Sequence, residues 1–280
     1  MRHICYFCHL RSVQELIKKF NPKETIADKF VYSVHESLLK NWDLPNPLLA
    51  TYTHRLAREI LQVENLYQEE KEVANKVLLK DSDFWEDYIR KSKDPFATAA
   101  KLAVVGNIID YGAHSLEGDL VTQIMGLLKQ PVLLDETEAL RNSLKKAKRV
   151  LYLGDNAGEM VFDKLFIQTI NHPNLTYVTR GKPVINDVTL VDAKEIGMSS
   201  VCKVMDNGSD APSTLFSICS SEFIKAYQES DLIISKGQGN FEGLEDKRDP
   251  KVFFLLIAKC QPIAELLGIP PKNLVITRRL

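Results

Sequence analysis

A run of polar residues after the apolar segment Leu151–Leu153 has the side chains needed to bind a ligand. It consists of Gly154, Asp155, Asn156, Ala157, Gly158 and Glu159. Ligands of open α/β sheets gather at the carboxyl ends of strands, so Asp155, Asn156 and Glu159 lie where a site is expected. The two glycines let a ligand approach the backbone, and the helix predicted next offers free N–H groups to an anion. A capped turn with Asp155 or Asn156 as the N-cap accounts for the same residues, so both interpretations stay open.

A second polar segment follows the apolar run Leu175–Thr179 and combines basic with acidic side chains. Arg180 and Lys182 come first, and Asn186 and Asp187 follow. Carboxylate and amide oxygens are ligands for a hard cation, and the basic side chains supply positive charge for a phosphate. An Asn-Asp pair ahead of a helix is also a common cap, which is the structural alternative.

A third segment, rich in glycine, follows the predicted strand Asp231–Ser235 and begins at Lys236. Its spacing is G-x-G-x-x-x-G, which differs from the G-x-G-x-x-G pattern of dinucleotide-binding proteins, so NAD binding is disfavoured. Lys236 is suited to hold a phosphate oxygen, and the glycines allow backbone N–H groups to approach the same ligand. Asn240 belongs to this segment and is a candidate substrate contact.

A polar pair interrupts the apolar stretch that begins at Ala99. Asn107 and Asp110 are three residues apart and therefore share one face of a predicted helix. Because buried polar groups must find partners, a structural hydrogen bond explains them. The functional alternative is that this helix forms the far wall of a cleft.

The first residues contain the C-x-x-C pair Cys5 and Cys8, flanked by His3 and His9. This is the spacing of half a zinc site, but a matching second pair is absent from the sequence. A bound metal, a redox role and two ordinary thiols all remain open.

The elements that must position these residues change in character along the chain. The first half has apolar residues at helical spacing, as in Thr53–Leu79, and from about Arg149 short apolar runs alternate with turns and helices. This pattern predicts a helical first part followed by an α/β layer with a mainly parallel sheet, with the boundary near residues 130 to 148. Predicted strands are Arg149–Leu153, Leu175–Thr179, Val201–Val204, Asp231–Ser235 and Asn273–Thr277, with helices at Val161–Ile170 and Thr214–Tyr227. Phe253–Ala258 is ambiguous between strand and buried helix.

Composition narrows the class of protein. The chain has 280 residues, with 36 Lys and Arg against 37 Asp and Glu and a formal net charge of −1. Such a balance gives no bulk field for nucleic acid or an anionic membrane, so neither is expected as a partner. The longest apolar run, Val252–Ala258, is far too short to span a membrane, and no signal peptide is evident. Five scattered cysteines fit reduced thiols, so we expect a cytoplasmic protein.

The four polar segments, taken together and in this order, resemble the damage-control phosphatase family, also called domain of unknown function 89. They are Gly154 to Glu159, Pro183 to Thr189, Lys236 to Glu242 and Gly106 to Asp110, and with Cys5 and Cys8 they look like its archaeal-type branch. One departure is Ser213, where the family pattern suggests a glycine.

The resemblance implies a helical part over residues 1–135 and a Rossmann-like, three-layer α/β/α part with a mainly parallel sheet over residues 136–280, with the active site in the cleft between them. It also implies a divalent metal bound by Asp155, Asn156 and Asp187. An all-oxygen set of this kind suits Mg²⁺ or Mn²⁺ and can accept Co²⁺ or Ni²⁺. The implied reaction is metal-dependent hydrolysis of small phosphorylated metabolites such as sugar phosphates. Lys236 joins the three ligands as a catalytic candidate. Asn107, Asp110, Glu159, Asn186 and Asn240 are the substrate-side candidates, with Glu159 either transferring a proton or orienting its neighbours.

Two alternatives are carried forward. The first is a carboxyl methyltransferase that uses S-adenosylmethionine, an activity described for one branch of the family. The second is a noncatalytic protein that binds metal or phosphate. The sequence names neither the physiological substrate nor the oligomeric state.

Overall fold

The computed structural model describes residues 2–107 and 120–278, and its elements divide into a helical segment followed by an alternating one. The helical segment contains α1 (His3–Phe20), α2 (Glu24–Lys40), α3 (Asn46–Leu61), α4 (Gln68–Lys80), α5 (Ser82–Lys91), α6 (Pro95–Gly106) and α7 (Leu120–Leu128). The alternating segment contains β1 (Val132–Asp135), α8 (Thr137–Leu144), β2 (Val150–Leu153), α9 (Met160–Ile170), β3 (Leu175–Thr179), α10 (Leu190–Glu195), β4 (Lys203–Asp206), α11 (Ser221–Glu229), β5 (Leu232–Lys236), α12 (Gly237–Leu244), β6 (Val252–Ile257), α13 (Gln261–Leu267) and β7 (Leu274–Arg278).

The strands form one seven-stranded sheet in the order β1-β7-β6-β5-β2-β3-β4. Strands β6, β5, β2, β3 and β4 pair in parallel, and β7 pairs antiparallel with β6. The expected α/β architecture with a mainly parallel sheet is therefore confirmed. Among the described residues, no helix has the length and apolar character needed to cross a membrane.

Side chains alternate across the sheet and bury both of its faces. Tyr152 and Ile234 pack into one core together with α6 and α9, while Leu151 and Ile233 pack into another together with α11, α12 and α13. This alternation is the two-residue period of a strand, and it explains why these strands are apolar on both sides. The result is a three-layer α/β/α arrangement.

Helices α1, α2 and α3 have a core of their own, built around Val13, Phe30, Val34 and Leu49. The later helices α5, α6 and α7 instead contribute to the core on one face of the sheet. Strand β1 also lies before residue 136 and pairs with β7. The apolar cores therefore group α1–α3 apart from the later helices, and the boundary of 135/136 expected from the sequence stays a prediction.

The other element predictions are mostly confirmed. The ambiguous segment is strand β6, and the predicted strand at Val201–Val204 lies two residues later, at Lys203–Asp206. The predicted helix Thr214–Tyr227 was too long, because α11 begins only at Ser221, where Ser220 caps it by accepting a hydrogen bond from the Phe223 N–H.

Candidate active site

The candidate site lies where the order of the strands reverses. After β2 the chain continues to β3 on one side, whereas β5 pairs with β2 on its other side. Such a reversal leaves a crevice at the carboxyl ends of the two strands. Asp155 follows β2 at this crevice, and Lys236 is the last residue of β5.

A glycine brings the two strand ends close together. Gly237 has φ +75°, and a Cβ atom there would lie 1.8 Å from Oδ2 of Asp155. Only glycine fits such a position without strain, because it accepts positive φ and has no side chain. The Asp155 carboxylate is thus packed directly against the start of α12.

The loops after β2 and β3 are joined by backbone pairing. Asn156 and Asp187 form an isolated antiparallel bridge. The Ala157 N–H donates to the Asn186 carbonyl at 2.9 Å, and the Val188 N–H donates to the Asp155 carbonyl at 2.8 Å. The pairing places Asp155, Asn156 and Asp187 side by side.

A cavity of about 490 Å³ opens beside these residues. Helices α1 and α3 form one wall, and the ends of the strands with α12 and α13 form the other. Its polar and charged lining consists mainly of His9, Arg11, Asn46, Asp155, Asn156, Asn186, Asp187, Gln238, Glu242 and Lys259. Ile185 also lines it at φ +44°, a strained backbone conformation for a β-branched residue. Strain of this kind is common at functional sites.

The electrostatic environment of Asp155 disfavours its ionised form. Burial raises the pKa of this carboxyl group well above its ordinary value, and the nearby Glu159 and Asp187 raise it further. Asn107 and Asn156 each donate a hydrogen bond to its Oδ2, at 2.9 and 3.0 Å. A cation bound here would offset the repulsion between the carboxylates.

Arg180 is buried beside the two aspartates. Its Nε donates to Oδ2 of Asp187 at 2.6 Å, and its Nη2 lies 3.8 Å from Oδ1 of Asp155. Its Nη1 donates to Oδ1 of Asn240 at 2.9 Å. Asn240 in turn donates to the Gly154 carbonyl at 3.1 Å. Asn240 therefore holds Arg180 and the β2 loop in place, and it lies outside the cavity lining.

Lys236 is placed differently from the sequence expectation. Its ammonium group is fully buried and donates to Glu159 at 2.8 Å and to Asp163 at 2.5 Å. Burial alone would lower its pKa, but the two carboxylates outweigh burial and raise it. The structure therefore puts Lys236 beneath the site and not on the cavity surface, where a phosphate would lie.

Glu159 and Asn107 also lie behind the cavity. One oxygen of Glu159 accepts from Lys236, and the other accepts from the amides of Asn107 and Asn156. This arrangement orients the two amides and favours the orienting role among the two expected for Glu159. Asp110 lies outside the described residues. Ser213, found in place of the expected glycine, is buried where a Cβ on Gly243 would approach its Oγ to 2.2 Å.

Two basic residues of the site, Arg180 and Lys259, were not among the catalytic or substrate-contact residues expected from the sequence. Lys259 lines the cavity and acts electrostatically on Asp155, lowering its pKa. Lys259 follows β6, a segment that its periodicity left ambiguous between a strand and a buried helix. The sequence therefore did not indicate that Lys259 lies at the end of a strand. Arg180 follows β3 and was considered only as a source of positive charge. Its place directly after a strand is the signal that could have identified it.

The donor set fits a hard divalent cation. Asp155, Asn156 and Asp187 present carboxylate and amide oxygens, and the buried Oδ1 of Asn107 has no hydrogen-bond partner among the described residues. Oxygen ligands of this type suit Mg²⁺ or Mn²⁺. Within residues 2–107 and 120–278 no three His, Cys, Asp or Glu side chains form a metal-ligating group, a result that does not bear on a set containing an amide.

Comparison with known proteins identifies related chains along the whole length. The family model of the damage-control phosphatase ARMT1-like domain matches residues 1–275. A damage-control phosphatase of Archaeoglobus fulgidus is 32% identical over 280 residues, which cover 97% of this chain and 96% of that protein. A damage-control phosphatase of Pyrococcus horikoshii is 38% identical over 192 residues, covering 68% and 67% of the two chains. The crystal structure of a protein of the family DUF89 from Pyrococcus horikoshii superposes with a TM-score of 0.93 at 28% identity, covering 100% of this chain and 99% of that one.

Proposed function

Because this chain belongs to the damage-control phosphatase ARMT1-like family, we propose that it hydrolyses phosphate esters of small metabolites in the cavity beside Asp155 and Asp187. The observation that carries the proposal is the meeting of Asp155, Asn156 and Asp187 at one edge of a 490 Å³ cavity. A volume of this size lies within the range of roughly 300–1,000 Å³ typical of small-molecule sites.

Asp155, Asn156 and Asp187 would hold a divalent cation, with Mn²⁺, Co²⁺, Ni²⁺ and Mg²⁺ as the candidates. Such an ion supplies a Lewis acid that polarises the phosphoryl group. The protein prepares the place for it by keeping two carboxylates close together, one of which Arg180 holds by its Nε. Glu159 accepts hydrogen bonds from the amide groups of Asn107 and Asn156 and would thereby orient these two side chains beside the ion.

Lys259 is better placed than Lys236 to bind a phosphate oxygen. It lines the cavity and is close enough to Asp155 to affect its ionisation, whereas Lys236 is buried between Glu159 and Asp163. Positive charge fixed near a transferring phosphoryl group stabilises the transition state. In this proposal Lys259 and Asn186 contact the substrate, and Lys236 balances charge beneath the site.

The two alternatives carried from the sequence receive less support. The relatives that bear functional names are called phosphatases, so the methyltransferase is not favoured. A noncatalytic binding protein is disfavoured on the same ground. The cytoplasm remains our expectation for the compartment, in keeping with five cysteines that are all unpaired by disulfides.

The test is phosphate release from a panel of sugar phosphates and other small phosphate esters. The protein is first treated with EDTA and then supplied with Mn²⁺, Co²⁺, Ni²⁺ or Mg²⁺ in turn. We expect activity only with added metal, and Asp155→Asn should lower it by on the order of 10²-fold or more. Asp246→Asn, which changes an exposed carboxylate paired with Lys247, is the matched control and should keep the activity. Full activity in the EDTA-treated protein or in Asp155→Asn would refute the proposal.

A further inference from the structure

Three of the five cysteines line the cavity, two of them on the wall formed by α1 and one on the wall formed by α13. Cys5 and Cys8 are on α1, and Cys260 is the N-cap residue of α13. All three line the cavity, whereas Cys202 and Cys219 are elsewhere in the fold. We call Cys5, Cys8 and Cys260 the thiol cluster. Because α1 and α13 come from opposite ends of the chain, the cluster lies where the N-terminal helices meet the α/β part.

The three thiols are close enough to influence one another. Burial raises the pKa of Cys5, and Glu242, Cys260 and Cys8 raise it further. Burial also raises the pKa of Cys260, with a smaller contribution in the same direction from Cys8. The Cys260 Sγ accepts a hydrogen bond of 3.4 Å from Nε2 of Gln238, which fixes its position on the wall.

Exposure distinguishes the members of the cluster. Cys8 is exposed to solvent, while Cys5 and Cys260 are half-buried. An oxidant in solution therefore reaches Cys8 first, and Cys5 and Cys260 lie nearby on the same cavity lining. An exposed thiol with two further thiols on the same cavity lining is an arrangement suited to reversible oxidation.

We propose that the thiol cluster is a redox modification site, at which a peroxide converts Cys260 and one thiol of α1 into a disulfide that joins the two walls of the cavity. The Cys8 thiolate attacks hydrogen peroxide, the O–O bond breaks, and Cys8 becomes a sulfenic acid as one water forms after protonation. The Cys260 thiolate then attacks the Cys8 sulfur, and the hydroxyl group leaves as a second water. Two thiols have lost two electrons, and one peroxide has been reduced to two waters.

The same disulfide is also reached through Cys5. Residues three apart in a helix have Cα atoms about 5 Å apart, so the Cys8 sulfenic acid can first pair with Cys5 and then exchange to Cys260. Either route ties α1 to the start of α13. Because Ile4 of α1 and Ile263 of α13 also line the cavity, the disulfide would fix the two helices that border it and restrict substrate passage.

The experiment treats the full-length protein with hydrogen peroxide at pH 8, blocks the remaining thiols with an alkylating agent, and maps the peptides without reduction. We expect Cys260 linked to Cys8 or Cys5, with loss of two free thiols per chain and full reversal by dithiothreitol. Cys260→Ser should abolish this linked peptide, and Cys219→Ser, which removes a half-buried thiol outside the cavity, should leave it unchanged.

Peptides that show only a Cys5–Cys8 link, or no link at all, would overturn the proposal. The readout is a covalent bond, so it stands whether or not the protein proves to be a phosphatase. If phosphatase activity is found, oxidation should lower it at least several-fold in the wild type and in Cys219→Ser, and dithiothreitol should restore it. An oxidised, linked protein with unchanged activity would refute the effect on substrate passage.

Discussion

The side-chain amide of Asn107 donates a hydrogen bond of 2.9 Å to the Asp155 carboxylate, so the C-cap residue of α6 binds a residue of the loop after β2. Asn107 also donates to Glu159 and is fully buried. The amide of Asn107 thus connects α6, a helix of the N-terminal half, to the carboxylates of Asp155 and Glu159 in the segment after β2. Its position depends on Gly106, where a Cβ atom would approach the Phe162 ring to 2.8 Å.

Replacing Asn107 by leucine tests this link. The variant keeps the approximate size of the side chain but removes one hydrogen-bond donor from each of two buried carboxylates, Asp155 and Glu159. This loss should lower the free energy of unfolding by about 1–3 kcal/mol. Metal-dependent phosphate release should fall by about 10–100-fold, because the orientation of a candidate ligand is lost. Urea denaturation and a phosphate assay measure the two effects. Asn142→Leu, on the exposed side of α8, is the control, and equal losses in both variants would contradict the role of Asn107.

A second prediction concerns Gly237, which packs against Asp155. In Gly237→Ala the new methyl group would overlap Oδ2 of Asp155 and the backbone would be strained at φ +75°. We expect the carboxylate to move and phosphatase activity to fall by about 10²-fold, as for a misplaced reacting group. Gly126→Ala is the matched control, because no atom lies within 4 Å of its new Cβ in α7. That control should keep the activity and gain up to about 1 kcal/mol of stability. Normal activity in Gly237→Ala would refute the packing argument.

The polar residues at the carboxyl ends of β2 and β3 have a local signal in the sequence. Asp155, Asn156 and Asp187 each follow a strand that periodicity identifies, and parallel strands bring their carboxyl ends to one edge. Strand order was not required for this inference. The same reasoning missed Lys259, because the apolar run ahead of it, strand β6, is compatible with either a strand or a buried helix.

The position of Lys236 could not be predicted from its place at a strand end alone. Whether such a side chain lies in the cavity or in the core depends on the face of the sheet on which it lies. Lys236 lies two residues after Ile234, which packs in the core with α9, and Asp163 of α9 is its partner. A buried aspartate within the apolar run Met160–Ile170 was the available signal, because such a charge requires a partner.

A third prediction follows from this buried ion pair. Lys236→Met would leave Glu159 and Asp163 without their cation, and breaking a buried pair of this kind costs about 3–5 kcal/mol. Urea denaturation should show that loss. Lys247→Met removes an exposed lysine paired with Asp246 and should change the stability by less than about 0.5 kcal/mol.

Measurements of stability and activity also distinguish Lys236 from Lys259, the two lysines at strand ends. Lys259→Met should keep most of the stability and lose phosphatase activity, whereas Lys236→Met should lose stability first. A Lys236→Met protein as stable as Lys247→Met would show that the ammonium group is not needed between the two carboxylates.

A fourth prediction concerns the contact between α3 and the loop after β4. Arg55 and Arg58 of α3 both bind Asp210, with distances of 2.6 Å from Arg55 Nη2 to Oδ1 and 2.7 Å from Arg58 Nη2 to Oδ2. Burial alone would raise the pKa of Asp210, but the hydrogen bonds from the two arginines outweigh burial and lower it to about 2. The ionised form is therefore stabilised in the folded protein.

The sign of the pH effect follows from this shift. In the unfolded chain an aspartate titrates near pKa ~3.9, so the stabilisation is complete above that pH and is lost as the pH falls through the folded-state value of about 2. The shift corresponds to about 2 kcal/mol. Between pH 4 and pH 2 the wild type should lose this much more free energy of unfolding than Asp210→Asn, as measured by urea denaturation at each pH. Parallel curves for the two proteins would show that Asp210 does not carry the acid sensitivity of the contact that closes α3 onto the α/β part.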